Sequence, residues 1–348
     1  VSVLYWHHAP PPNQLLELSH QGDNMLQNHP TLSSPMNIPA VLAVAQKGHG
    51  ATMVLQRLVG CYWGSQDTKI PMCVQLRRGP KQPPRIRTIP IDAAGNRAAA
   101  NATGTAWQPI DVDRRENQFG DAVAAFVDTV VQGRPFVVDT LVQLEIQDPH
   151  APHLDVYDVP GQRCLDADTD GAIRTAVGNL IARIKGFTRF LLVRSATADP
   201  ANSSVVGFMR EQGVFDSKVV GVLTRVDLCI PFSAAAVDGD DTDDAENPVV
   251  KVVQAVAEAD VPTWVVTASP VGKKTVDTQL AADTSIGDGS GLVKGDLTLA
   301  AAAANEASTL HRLKENARRT GHTGHFEMLS DKWGVDRLRA HVRDVLRE

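Results

Sequence analysis

Cysteine is scarce in this chain, apolar runs are short, and neither sign of charge dominates. Cys61, Cys73, Cys164 and Cys229 are the only four cysteines in 348 residues, and no two of them form a C-x-x-C pair. That spacing argues against a disulfide framework or a cysteine-rich zinc site, and reduced, mostly buried thiols are expected. No apolar run approaches the ~18 residues of a membrane-spanning helix, so no transmembrane segment is expected. A net charge of −6 gives no general attraction for phosphate backbones or anionic lipids. Direct nucleic-acid binding would need a local basic patch. The chain opens at Val1, which fits a removed targeting segment, a disordered start or an arbitrary boundary. An intracellular setting is expected, cytoplasmic or organellar, and mitochondrial if a presequence was removed.

With 43% hydrophobic residues, the chain can bury a sizeable core as one large α/β domain or two smaller ones. Buried-strand patterns fall at residues 40–45, 136–146, 154–157, 190–193, 219–223 and 264–266, and residues 68–76 are a threonine leading into an alternating strand. Helical spacing fills 52–59, 119–131 and 173–184, and a further helix starts at Val205. Strands alternating with helices predict a doubly wound, mostly parallel sheet flanked by helices. Ahead of it, residues 1–37 carry Leu15, Leu18, Met25 and Leu26 on one helical face, closed off by Pro30, Pro35 and Pro39. Residues 77–118 read as an exposed insertion, and its Arg77 to Arg97 stretch is either a solvated excursion or a basic contact surface for a partner. Leu299 to Ala307 is an alanine-rich helix with nothing beyond its propensity to single it out. His322 and His325 lack a third ligand nearby in sequence, so no metal is expected there.

Four short motifs carry chemistry. Residues 45–52 follow the frame of a phosphate loop, G-x-x-x-x-G-K-[ST], with Gly50 and Thr52 in place, Ala45 at the first glycine and Ala51 at the lysine. Backbone N–H groups around Gly48 and Gly50 and the start of the following helix suit an anion. The second motif, Asp158-Val159-Pro160-Gly161, ends a buried strand. There a carboxylate can reach Mg2+ through water, and a glycine N–H can approach a γ-phosphate. Third, Thr224-Arg225-Val226-Asp227 ends another strand in the pattern of a guanine-reading [NT]-K-x-D loop, with Arg225 at the lysine and Asp227 as the base-reading carboxylate. The fourth is Thr68-Lys69-Ile70-Pro71 ahead of Val74-Gln75-Leu76. Taken singly, a plain turn explains the first two about as well.

Together with Ile38-Pro39, the Asp199-Pro200-Ala201-Asn202-Ser203 loop and the Phe326 to Leu338 segment, this order resembles the GTPase domain of the dynamin superfamily. The resemblance covers most of the chain. It implies a P-loop GTPase-like domain at 38–330, GTP or GDP with Mg2+ as ligands, and Thr52, Thr68 and Asp158 around the metal. It implies Gly48, Gly50, Gly161, Thr224, Arg225 and Asp227 around the nucleotide. It also implies that residues 15 to 27 and 336 to 347 bundle beside the domain, with Leu338, Val342, Val345 and Leu346 on one face. Family members dimerise across the nucleotide face, so a second copy or another protein is the expected partner around Thr68, Asp158 and residues 199 to 203.

The departures bear on activity. Lys47 and Gly48 stand where the family keeps the glutamine and serine that orient the attacking water and a cation, and Ala51 replaces the phosphate lysine. Residues 267–270, Thr-Ala-Ser-Pro, replace an asparagine-arginine-serine run around the base. The expected reading is a pseudo-GTPase working through protein contacts. Two alternatives stay open: a slow GTPase in which Lys47 and Thr68 are the catalytic candidates, and a structural subunit of a larger assembly. In the last, the arginine-rich stretch and the acidic Asp238 to Glu246 segment would be contact elements.

Overall fold

A computed structural model describes residues 38–64, 68–91, 104–112, 117–162, 167–198, 204–215, 218–229, 247–257, 259, 261–267 and 294–346. The expected helix at 15–27, the 199–203 loop, the 238–246 acidic segment, Cys164 and residues 268–270 lie outside the described residues.

Nine strands form one mixed, mostly parallel sheet. They are β1 (Ala40–Ala45), β2 (Met72–Arg78), β3 (Arg85–Pro90), β4 (Gln108–Pro109), β5 (Thr140–Asp148), β6 (Leu154–Asp158), β7 (Thr188–Ser195), β8 (Val219–Thr224) and β9 (Thr263–Val265). Their order across the sheet is β4-β3-β5-β2-β6-β1-β7-β8-β9. Eight α-helices accompany them among the described residues: α1 (Ala51–Val59), α2 (Asn117–Val131), α3 (Ala167–Ile184), α4 (Ser204–Glu211), α5 (Pro248–Ala257), α6 (Lys294–Arg319), α7 (Thr323–Ser330) and α8 (Val335–Val345). No helix among the described residues is long and apolar enough to cross a membrane.

The central strands have the composition their position demands. Every residue of β1 and of β8 is buried, as expected of strands covered on both faces. Along β1 the period of two sends Val41, Ala43 and Ala45 to one apolar cluster and Ala40, Leu42 and Val44 to another. The first cluster holds Val54 of α1, Phe119 of α2 and Leu338 of α8, and the second holds Ile181 of α3 and Phe208 of α4. A third cluster, with Leu223, Val249, Val265, Leu313 and Trp333, packs α5, α6 and α7 beside the β8–β9 edge.

One local expectation is corrected. Residues 77–118 are not simply an exposed insertion: Arg77 and Arg78 end β2, and Arg85–Pro90 is a strand paired antiparallel to β5. Arg85-Ile86-Arg87-Thr88-Ile89 has no simple alternation, since Ile86 and Ile89 fall on opposite faces of the strand, and its arginines and flanking prolines obscure it further. Ile86 and Ile89 are buried, while Arg85 bonds Glu145 at 2.8 Å and Arg87 bonds Gln143 at 2.9 Å across the pair. Trp107 lies against both guanidiniums. The C-terminal helix packs beside the sheet domain, and its expected partner, the helix at 15–27, lies outside the described residues. Val335, Leu338 and Val342 join the same cluster as Val54 and Leu58, so α8 docks on the sheet domain through α1. Arg339 of α8 donates to Leu58 O at 3.0 Å and Arg57 O at 2.6 Å, satisfying carbonyls at the end of α1.

A buried ion pair joins these layers. Arg57 and Glu306 meet through two hydrogen bonds of 3.0 and 2.9 Å, with side chains only 4% and 10% exposed. Arg57 also donates to Thr267 O at 2.7 Å, while Glu306 accepts from the N–H groups of Thr267 (3.0 Å) and Val335 (3.2 Å). One pair therefore ties α1, the exit of β9, α6 and the start of α8. Breaking it from one side leaves a buried charge uncompensated, so Glu306→Ala is expected to cost about 3–5 kcal/mol. The double variant Arg57→Met with Glu306→Leu is expected to cost clearly less, and urea unfolding midpoints of the three proteins measure the difference.

Candidate functional site

The four motifs meet at one edge of the sheet. Thr68 precedes β2, yet β2 runs antiparallel to β6 with Met72 opposite Asp158, so the start of β2 and the end of β6 share that edge. The ends of β1, β7 and β8 lie alongside in parallel register.

Three side chains converge there. Thr52 Oγ1 lies 3.0 Å from Thr68 Oγ1 and donates to Asp158 Oδ1 at 3.1 Å, and Thr68 Oγ1 donates to Asp158 Oδ2 at 3.4 Å. Adjacent corners of an octahedron with Mg–O bonds of ~2.1 Å lie ~3.0 Å apart. The hydroxyl pair has that separation, which is equally that of a hydrogen bond between the two threonines, with the carboxylate behind them. Burial pushes Asp158 up to about 6, and the hydroxyls of Thr52 and Thr68 only partly hold it down. Trp63 turns its indole N–H toward the same carboxylate without completing a hydrogen bond.

The loop from Gln46 to Gly50 is shaped by two left-handed glycines, Gly48 at φ 84° and Gly50 at φ 86°. Gly50 starts α1 with no side chain capping it, so the first N–H groups of the helix face outward, as in an anion nest. The neighbouring loop is fastened to this one. Lys47 N–H donates to Gln162 O at 2.8 Å, and Gln162 N–H donates to Ala45 O at 3.0 Å. A Cβ on Gly161 would meet Lys47 Cα at 2.8 Å and Lys47 N at 2.9 Å. Gly161 is therefore required by the close approach of the two loops, a use the expectation of a phosphate contact did not contain. Lys47 N–H, too, already has its acceptor.

At the other end of the crevice, Thr224 is fully buried and donates to His49 O at 2.7 Å, anchoring β8 to the loop. Arg225 adopts the left-handed φ of 58° and brings its guanidinium beside Gly48. Burial and, after it, this guanidinium depress the pKa of His49. Asp227 accepts from Asn305 Nδ2 at 3.2 Å through Oδ2, while its Oδ1 is buried with no partner among the described residues. Leu228, one residue on, is 60% exposed.

Asn305, Glu306 and Arg57 were missed by sequence reasoning. The alanine-rich helix that looked featureless contributes Asn305 to Asp227 and Glu306 to Arg57 and Thr267. A polar Asn-Glu step amid alanines was the available signal. Its partners, 78 and 249 positions away, gave it no meaning in one dimension. Compared with protein-family models and with curated proteins, the chain matches none.

Asp158 supplies a pH test. Its folded pKa of about 6 exceeds the unfolded value of ~3.9, so across that window the folded state keeps a proton that the unfolded chain releases. The contribution of Asp158 to stability is therefore greatest below ~4 and declines by about 3 kcal/mol as pH rises through the folded pKa. Asp158→Asn is expected to remove this decline, unfolding later than wild type at pH 7.5 in a thermal scan and alongside it at pH 4.

Proposed function

We propose that this chain is a P-loop GTPase-like domain of dynamin type that has become a pseudo-GTPase, retaining at most weak nucleotide binding and acting through protein contacts at its crevice face. One observation carries the reading, the contrast between two halves of a single crevice. Thr52, Thr68 and Asp158 keep a spacing that suits Mg2+, whereas the helix beginning beside them has Ala51 where a phosphate-binding ammonium belongs. Phosphoryl transfer rests on positioning and charge neutralisation, so the missing cation weakens turnover more than binding. Lys47 and Gly48 offer neither the amide nor the hydroxyl that the resemblance expects for orienting water. A second copy of the chain, or another protein, is the partner proposed for the surface around Thr68 and Asp158.

GTP or GDP with Mg2+ is the ligand class for whatever binding remains. Thr52 and Thr68 would hold the ion, Gly48, Gly50 and Thr52 would present N–H groups to phosphate, and Asp227 would face the base. Mg2+ would supply charge neutralisation on the phosphate oxygens. A slow GTPase using Lys47 is the second reading, favoured by the close approach of the Lys47 backbone to Gly161 in the neighbouring loop.

Equilibrium titration with a fluorescent GDP analogue, with and without Mg2+, tests the proposal. A charged contact to phosphate is worth about 1.5–3 kcal/mol, so Ala51→Lys is expected to tighten binding about 10- to 150-fold. Tight micromolar binding by the unaltered chain that disappears in Lys47→Ala would instead favour the second reading.

A further inference from the structure

The pairing of β1 with β6 does not stop where the two strands end. Ala43 lies opposite Asp158, and after one extra residue on the β6 side the pairing resumes with Gln46 opposite Gln162. Lys47 N–H donates to Gln162 O at 2.8 Å and Gln162 N–H donates to Ala45 O at 3.0 Å, which carries the parallel ladder along the start of the phosphate-loop frame. Gln162 is 3% exposed, and its side-chain amide has no partner among the described residues, so its backbone makes the joint. At Gly161 the two chains are closer still. A Cβ there would meet Lys47 Cα at 2.8 Å, Lys47 N at 2.9 Å and Gln46 C at 3.2 Å. A bond of ~1.5 Å separates Cα from Cβ, so Gly161 Cα lies within ~4.4 Å of Lys47 N, which is van der Waals contact.

A phosphate-loop frame gives each phosphate a place. N–H groups of the loop and of the helix start cradle the inner two, and a terminal phosphate lies beyond them, toward the glycine of the Asp-Val-Pro-Gly turn. An anion held between two loops needs them apart by its own width and needs donors left free to face it. Here the backbones touch, and the Lys47 N–H is spent on Gln162 O. The place of the inner phosphates is unaffected, since α1 starts at Gly50 with no side chain capping it. We infer that the ladder joining residues 45–47 to Gly161 and Gln162 fills the place of a terminal phosphate, so that the crevice takes nucleoside diphosphates and rejects triphosphates. This rests on the proposed nucleotide crevice and names the phosphorylation state it holds. The missing ammonium at Ala51 also disfavours a third phosphate, by charge, whereas the ladder does so by space.

The test is displacement of a fluorescent GDP analogue by GDP, GTP and the β,γ-imido analogue of GTP, in Mg2+ buffer. Three proteins are compared: the unaltered full chain, Ala51→Lys, and Ala51→Lys carrying Gln46→Cys, Gln162→Cys and Cys164→Ser. Gln46 and Gln162 are paired positions, whose Cα spacing of ~4.8 Å suits a disulfide, and losing the Cys164 thiol prevents exchange with it. In the unaltered chain GDP is expected to compete at least about tenfold better than either triphosphate. Ala51→Lys is expected to tighten all three and to keep a preference of about tenfold, whereas a preference due to missing charge alone would vanish there. Oxidising the cysteine pair fixes the loops together. GDP is then expected to stay within about threefold of the reduced sample, and neither triphosphate to compete at ~1 mM. Where the cysteine variant does not fold, the first two proteins decide. The inference is overturned by triphosphate binding within about threefold of GDP in either of those two, by oxidation that weakens GDP as much as GTP or leaves triphosphate binding intact, or by no displacement at ~1 mM by any nucleotide. Phosphate release from GTP, followed in the same samples, separates this inference from the reading beneath it. Triphosphate binding without turnover overturns the inference and leaves the pseudo-GTPase proposal standing, whereas turnover overturns both.

Discussion

The Arg57–Glu306 pair is the constraint on which the rest of this structure depends. A buried ion pair is poor evidence of net stability, because desolvating two charges offsets much of their attraction. Its value is geometric. The carboxylate is fully used, by Arg57 and by the N–H groups of Thr267 and Val335, and the guanidinium makes three hydrogen bonds, to both oxygens of Glu306 and to Thr267 O. Such a network satisfies its members in one arrangement, and that arrangement fixes α1 against the exit of β9 and α8 against both. Arg339 adds the same specification from the other side, holding the last carbonyls of α1.

Rigidity at the far end of α1 bears on its near end. Gly50 caps the helix, its left-handed backbone turning the chain out of the loop, and Thr52 is the second helical residue, facing Thr68 and Asp158. On the pseudo-GTPase proposal the phosphate cation is dispensable, while the crevice loops must still be kept in place. Backbone bonds do that here: Lys47 and Gln162 cross-link two loops, and Thr224 pins a third to His49. The loops that a nucleotide would organise are held to a large extent by each other. Asp158 bears the cost of this arrangement, its pKa raised by burial and only partly held down by the two hydroxyls.

Much of the fold was legible because buried strands advertise themselves. The all-apolar runs of β1 and β8 and the period-3.6 stripe Ile173, Val177, Leu180, Ile181, Ile184 fall where the structure has strands and a helix. Strand β3 was hidden because its solvent-facing positions are arginines, whose partners Glu145 and Gln143 lie about sixty residues further on. Spacing singled out Thr52, Asp158 and Thr224 and the resemblance singled out Thr68; the structure brings Thr52, Thr68 and Asp158 into hydrogen-bond contact and sets Thr224 against His49 O. Spacing could not find Asn305 or Glu306, because a polar step on an alanine-rich helix acquires its role only when Asp227 and Arg57 are folded against it. Gly161 was found for one reason and proved necessary for another, the passage of the Lys47 backbone.

Single-turnover hydrolysis of GTP with the protein in excess, in Mg2+ buffer, tests the central claim most directly, since it reports chemistry even where binding is weak and product release slow. A pseudo-GTPase predicts phosphate release at the rate of buffer alone at every protein concentration that binds nucleotide. Release that accelerates and saturates with protein concentration, and that is abolished by Thr68→Ala or Lys47→Ala, would contradict it.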